Sequence, residues 1–225
     1  MMRPNGRGAQ LLLACGIASS IWYVAINVIV PMQWPSYSIA DHTVSELSAI
    51  GAPTRTFWIA IVLPYVLLFA AFGLGVRAVA GSSRALRTAG SLVLFYCAFN
   101  AWWPPMHSRD VLAAGGGTLT DTLHLIWAGV TTALFLLMMA CAATAFSGAF
   151  RRITILSMGC LVVFGVLTAV DAPDLAMGLP TPWIGIWERV DIGVFVVWVA
   201  AFALILMRGE ARNAQSAGLA QSAKP

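Results

Sequence analysis

The chain is 225 residues long, 60% hydrophobic and 10% charged, with a mean hydropathy of +0.83. A soluble domain carries about 25% charged residues, and a core of this size has no room for so much apolar surface, so lipid is expected to be the solvent for most of the chain. The formal charge of +4 is dispersed between apolar segments instead of forming a stripe, which argues against nucleic acid as a partner.

A hydrocarbon layer about 30 Å thick needs about 20 apolar residues as a helix. The first such run is Leu11–Val30. Its Leu12-Leu13-Ala14-Cys15 imitates a lipoprotein cleavage box, but the apolar stretch mostly follows the cysteine, so the segment is expected to persist as a helix. Five more runs follow: Phe57–Val76, Leu86–Trp103, Thr122–Phe146, Ile153–Val170 and Val190–Met207. Backbone polar groups in lipid must be satisfied within the segment, so each run is expected to be a helix. Pro64 is expected to kink the second. Cys15, Cys97, Cys141 and Cys160 all fall in apolar runs with no CxxC pair, which points to free thiols. The expected fold class is all-α: a polytopic membrane protein, a six-transmembrane-helix bundle spanning residues 1–208, with an Ala/Gln/Ser-rich disordered tail over 209–225.

The connections alternate in charge. One side carries Arg3, Arg7, Arg77, Arg84, Arg87, Arg151, Arg152, Arg208, Arg212 and Lys224; the other carries only Arg55, Arg109 and Arg189. The positive-inside rule puts the first group, and with it both the N and C termini, in the cytoplasm. All carboxylates except Glu210, all three histidines and Trp34, Trp102, Trp103, Trp183 and Trp187 fall on the outer side. The versatile chemistry is therefore concentrated on one face, beside an aromatic belt at the headgroups.

Three outer connections carry it. In Asp41–Arg55, a short helix would bring His42, Ser45 and Glu46 to one face. A serine beside a histidine and a carboxylate is what an activated nucleophile requires, with Asp41 or Glu46 as base. The same residues also read as a capping box, Thr43-x-x-Glu46, with Gly51 as C-cap. The second connection holds His107, Arg109, Asp110, a Gly115-Gly116-Gly117 run, Asp121 and His124. Asp121 suits the positive end of a helix dipole, and the glycine run lacks the pattern of a phosphate loop. The third runs from Asp171 to Asp191. Glu188 and Arg189 read as a solvated ion network, whereas Asp191 lies just inside the apolar run, where an unpaired ionisable group is costly and marks a candidate site.

Together, His42, His107 and His124 with Asp121 or Asp191 form a ligand set suited to zinc, which would polarise water with Asp110 or Glu46 carrying the proton. The alternative is a polar network without metal. HExxH is absent. Three functions follow: a metal-assisted hydrolase or transferase acting on a lipid or lipid-linked substrate at the outer leaflet; a non-catalytic protein binding membrane lipids or a partner; and a small-solute transporter. The inner parts of the helices carry few polar residues, which ranks the last below the others.

The stretch Thr43-Val44-Ser45-Glu46-Leu47-Ser48-Ala49-x-Gly51-Ala52-Pro53 resembles the hallmark of a family of bacterial membrane proteins, domain of unknown function 998. The likeness extends through the loop from Met106 to His124 and the Trp187-Glu188-Arg189-Val190-Asp191-Ile192-Gly193 start of the sixth helix, covering nearly the whole chain. It implies a six-helix bundle in the cell membrane and no established reaction. The residue types also resemble, more distantly, the zinc-dependent intramembrane hydrolases of the alkaline ceramidase and progestin/adiponectin receptor group. That group's HxxxH pair is missing here, and the last helix carries no histidine.

Overall fold

The computed structural model describes the backbone of residues 6–222 and the side chains of residues 6–210. Seven helices account for nearly all of it: α1 (Gly6–Ile29), α2 (Arg55–Val79), α3 (Arg84–Phe99), a short α4 (Arg109–Ala113), α5 (Leu119–Ala145), α6 (Gly148–Ala176) and α7 (Ile184–Ser222). Each apolar run read from the sequence matches one of the six long helices, with Val30, residues 100–103 and Phe146 lying beyond the helix ends. Pro64 lies inside α2, which continues through it. Helix α7 continues into the segment 209–225, read from composition as a disordered tail; residues 223–225 lie outside the described residues.

Among the described residues, five helical stretches are long and apolar enough to cross a membrane: Gly6–Gln33, Arg55–Val79, Leu119–Ala145, Gly148–Ala176 and Ile184–Glu210. Large apolar side chains such as Leu63, Leu67, Val163, Val166 and Val197 cover their outer surfaces, which only lipid can solvate. The chain is a polytopic helical membrane protein. Helix α3 has 16 residues, about 24 Å at 1.5 Å per residue, and stops at Phe99. The expected run to Trp103 ends early because Pro104 and Pro105 follow, and the residue before a proline is pushed out of helical geometry.

Neighbours in sequence pack side by side in the order α1, α2, α3, α5, α6, α7, and α7 returns to α1, closing a ring. Small residues set the closest crossings. A Cβ on Gly90 of α3 would lie 2.8 Å from the Gly73 carbonyl oxygen of α2, so the two backbones touch where neither residue has a side chain. Phe69 and Phe72 of α2 fill the centre, edge-on to Phe195 and Phe202 of α7 at 6.1 and 5.8 Å between centroids. Of the most apolar window of α7, 44% is buried, against 11% for α6, so among the five candidate spans α7 is the most enclosed by its neighbours and α6 the least.

Candidate functional site

One end of the helix bundle is roofed by the connection between α1 and α2. Its Ser45–Ser48 is a single 3-10 turn, not the longer helix expected, so His42 lies before the turn and does not share a face with Ser45 and Glu46. Local bonds explain why. Glu46 accepts from the Thr43 N–H at 2.7 Å and the Thr43 hydroxyl at 3.1 Å, while the Glu46 N–H donates back to the Thr43 hydroxyl at 3.2 Å. This is the reciprocal capping box expected from the sequence. Gly51 then turns the chain at φ +90°, where a side chain would be strained. Ile50 pairs with the second connection, its N–H donating to Met106 O at 2.7 Å and its carbonyl accepting from Ser108 N at 3.1 Å.

Glu46 is 1% exposed. It is gripped by Arg109 at the start of α4, whose Nε lies 2.7 Å from one carboxylate oxygen and a terminal nitrogen 2.9 Å from the other. Arg109 also donates to the Asp41 carbonyl at 2.6 Å, and the Glu46 carboxylate holds its guanidinium proton more tightly than usual, against the opposing effect of burial. A carboxylate locked in this fork is a structural anchor and is not free to serve as a base.

The start of α7 docks beneath the same loop. The Gly185 N–H donates to the Ala40 carbonyl at 2.8 Å, and a Cβ on Gly185 would come within 2.3 Å of the His42 carbonyl oxygen and 2.4 Å of that of Ile39. Arg189 donates to the carbonyls of Ile39 and His42, both at 3.0 Å, and to the Tyr37 hydroxyl, with its guanidinium 5.5 Å from the centre of the Tyr37 ring. Glu188 accepts from the Val44 N–H and, at 3.0 Å, from the Ser45 hydroxyl. The expected solvated Glu188–Arg189 network is thus corrected: both side chains turn inward to hold the roof.

The three histidines part company. His42 accepts from the Ser38 N–H through Nδ1 at 3.2 Å and packs on Tyr37 and Trp34; burial lowers its pKa, partly offset by Glu46. His107 sits with Nδ1 2.9 Å from Asp121, which also accepts from the His107 and Thr118 N–H groups and caps α5. His124 meets the Pro104 carbonyl at 2.8 Å. Among the described residues, no group of three or more histidine, cysteine or carboxylate side chains is arranged to hold a metal. The zinc set of His42, His107, His124, Asp121 and Asp191 therefore does not converge, because each histidine is committed to a different loop contact.

Below the roof lies a cavity of about 710 Å³. Its walls are largely apolar and aromatic, with Trp58, Tyr65, Tyr96, Trp127, Phe135 and Phe195 among them. Polar side chains in its lining include Ser45, Ser48, His124, Glu188 and Asp191. Three buried polar atoms on its walls have no partner in the protein: Trp127 Nε1, Thr131 Oγ1 and Asp191 Oδ1. Of the residues singled out from sequence, Ser45, His124 and Asp191 line this space; Asp41, His42, Glu46, His107, Asp110 and Asp121 do not. Ser45 faces Glu188 and not His42.

Sequence reasoning gave no role to Arg109 or Tyr37 and placed Arg189 in a solvated ion network. The signal was present for two of them: Arg109 and Arg189 break the positive-inside pattern, and a charge misplaced for topology is a charge retained for structure. Arg55, the third exception, donates to the Ser48 carbonyl.

No curated protein and no solved structure matches the chain. A family model does, over residues 17–205, and its description is "Protein of unknown function (DUF998)". That span takes in the roof, the cavity lining, α2, α3, α5 and α6 whole and parts of α1 and α7, and the chain belongs to the DUF998 family.

Proposed function

We propose that the protein binds a lipid-like amphiphile in the outer half of the membrane, its chain in the aromatic cavity and its head group at the polar rim. One observation carries this reading: a cavity of about 710 Å³ has largely apolar walls that also carry unpartnered polar atoms. That volume lies in the range of small-molecule sites, about 300–1,000 Å³. Leu125 and Gly129 of α5 and Val162, Val166 and Ala169 of α6 line it and are also exposed, which makes the α5–α6 seam the side facing lipid. A Cβ at Gly129 would meet nothing within 4 Å, so a large side chain there would obstruct the seam without disturbing packing. In nanodiscs, ω-bromoundecanol should quench the cavity tryptophans saturably, and Gly129→Phe should abolish the saturable part. Quenching that is only linear, or unchanged in Gly129→Phe, would contradict the reading.

A second reading, hydrolysis or group transfer on such a molecule, draws on one contact: the Ser45 hydroxyl donates to Glu188 at the rim. A serine beside a carboxylate base is an arrangement for nucleophilic attack, with Glu188 taking the proton. A lipophilic fluorophosphonate should then label wild type and spare Ser45→Ala; no labelling of wild type would dismiss it.

The topology that goes with this site has α3 as a sixth span and both termini in the cytoplasm of a bacterial cell. Tight packing of α3 between α2 and α5 supports it, as does the arginine distribution. Alkaline-phosphatase fusions after Arg84 should be inactive and after Asp110 active; the reverse would overturn it.

A further inference from the structure

We propose that the head group received at the cavity rim is a cation, a primary or quaternary ammonium, and that Asp191 is its counter-ion. This rests on the cavity reading above and adds the charge of the occupant. Asp191 is 8% exposed, and its Oδ1 has no hydrogen-bond partner. It faces α6 at Gly165, where a Cβ would lie 3.8 Å from Oδ1 and 4.0 Å from a Thr132 methyl, so glycine leaves space in front of the carboxylate.

The other charges nearby are already engaged. Arg109 is spent on Glu46. Arg189 uses its terminal nitrogens on loop carbonyls and Tyr37; its Nε is unpartnered, but the residue does not line the cavity. Glu188, one helical turn before Asp191, is bonded to Val44 and Ser45. Among the described residues, no arginine or lysine lines the cavity. Both Glu188 oxygens are held by hydrogen bonds, so Asp191 is the cavity carboxylate with an oxygen left unpartnered.

A buried carboxylate in that position is costly until something compensates it. An anionic head group would meet two carboxylates and be repelled. A cation would pair with Asp191, and the same cavity is lined by Trp58, Trp103 and Trp127, residues whose ring faces attract an ammonium through their quadrupoles. The geometry points to an amphiphile with a positively charged head.

The test uses three probes sharing one chain: ω-bromoundecyltrimethylammonium, ω-bromoundecanol and ω-bromoundecanoate, titrated against the full-length protein in zwitterionic nanodiscs, with tryptophan quenching as readout. The ammonium should half-quench at a concentration roughly tenfold below the alcohol, the strength of one desolvated cation contact, and the carboxylate should be weakest. Asp191→Asn, nearly isosteric, should bring ammonium and alcohol within about twofold; Asp191→Glu should keep the preference. Equal potency of ammonium and alcohol in wild type, or a preference surviving in Asp191→Asn, would overturn the inference while leaving the cavity reading intact. If no probe quenches wild type more than Gly129→Phe, the cavity reading itself fails.

Discussion

The two ends of the bundle treat the same residue in opposite ways. Toward the end read as cytoplasmic, Arg7, Arg77, Arg84, Arg87, Arg151, Arg152 and Arg208 are all exposed. Two of them reach a neighbour: Arg77 to the Ser91 hydroxyl, and Arg87 to the Gly81 carbonyl at 2.8 Å. At the other end Arg55, Arg109 and Arg189 are half-buried and donate to loop carbonyls, a carboxylate or a tyrosine. Arginines at the first end act as charge in solvent; those at the second act as geometry and shape the roof over the cavity. Substitutions at the two ends should therefore differ sharply.

The largest effect is expected at Arg109. Replacing it with methionine leaves Glu46 as an uncompensated buried charge, which costs about 3–5 kcal/mol. A drop in the detergent unfolding midpoint no larger than that of a surface arginine would break the comparison. Gly185→Ala should follow. Its new methyl would overlap the carbonyls of Ile39, Ala40 and His42, and overpacking of this kind costs about 1–3 kcal/mol; thermal unfolding and faster proteolysis of the 30–54 loop would report it.

A smaller, pH-dependent effect is expected from His42. Burial sets its folded pKa below the ordinary 6.5, so on acidification the unfolded chain takes up the proton first. Stability contributed by this group should fall as pH drops below 6.5 toward the folded value, and be unchanged above it. His42→Gln should flatten that limb, read by melting temperature against pH; an unaltered profile would remove His42 from the account. Least of all, Arg84→Gln or Arg151→Gln should move stability by no more than about 0.5 kcal/mol, and only combined loss should disturb orientation in fusion assays.

The membrane character and the helices were legible because lipid solvation imposes a length and a composition that hydropathy reads directly. Helix α3 was overrun by four residues because the apolar pattern continues past Phe99 while the backbone, ahead of Pro104, does not. The Thr43–Glu46 cap was legible because both partners lie within one turn. The histidine cluster was misleading: sharing a face places residues on the same side of a membrane but not within 3 Å of one another, and each histidine found a nearer carbonyl, amide or carboxylate. The contacts that build the roof, Arg109 to Glu46 and Glu188 to Ser45, join residues 63 and 143 positions apart, beyond any local pattern. Asp191 was singled out by depth alone, and its setting at the cavity rim came only from the packing of α7 against α6.

The central claim is that the space beneath the roof holds a single amphiphile. Native mass spectrometry of the protein released from cell-membrane nanodiscs tests it most directly. The expected spectrum has one retained species of lipid mass per chain, surviving mild delipidation in wild type and missing from Gly129→Phe. A wild-type chain that retains nothing, or a Gly129→Phe chain that retains the same species equally well, would contradict the claim.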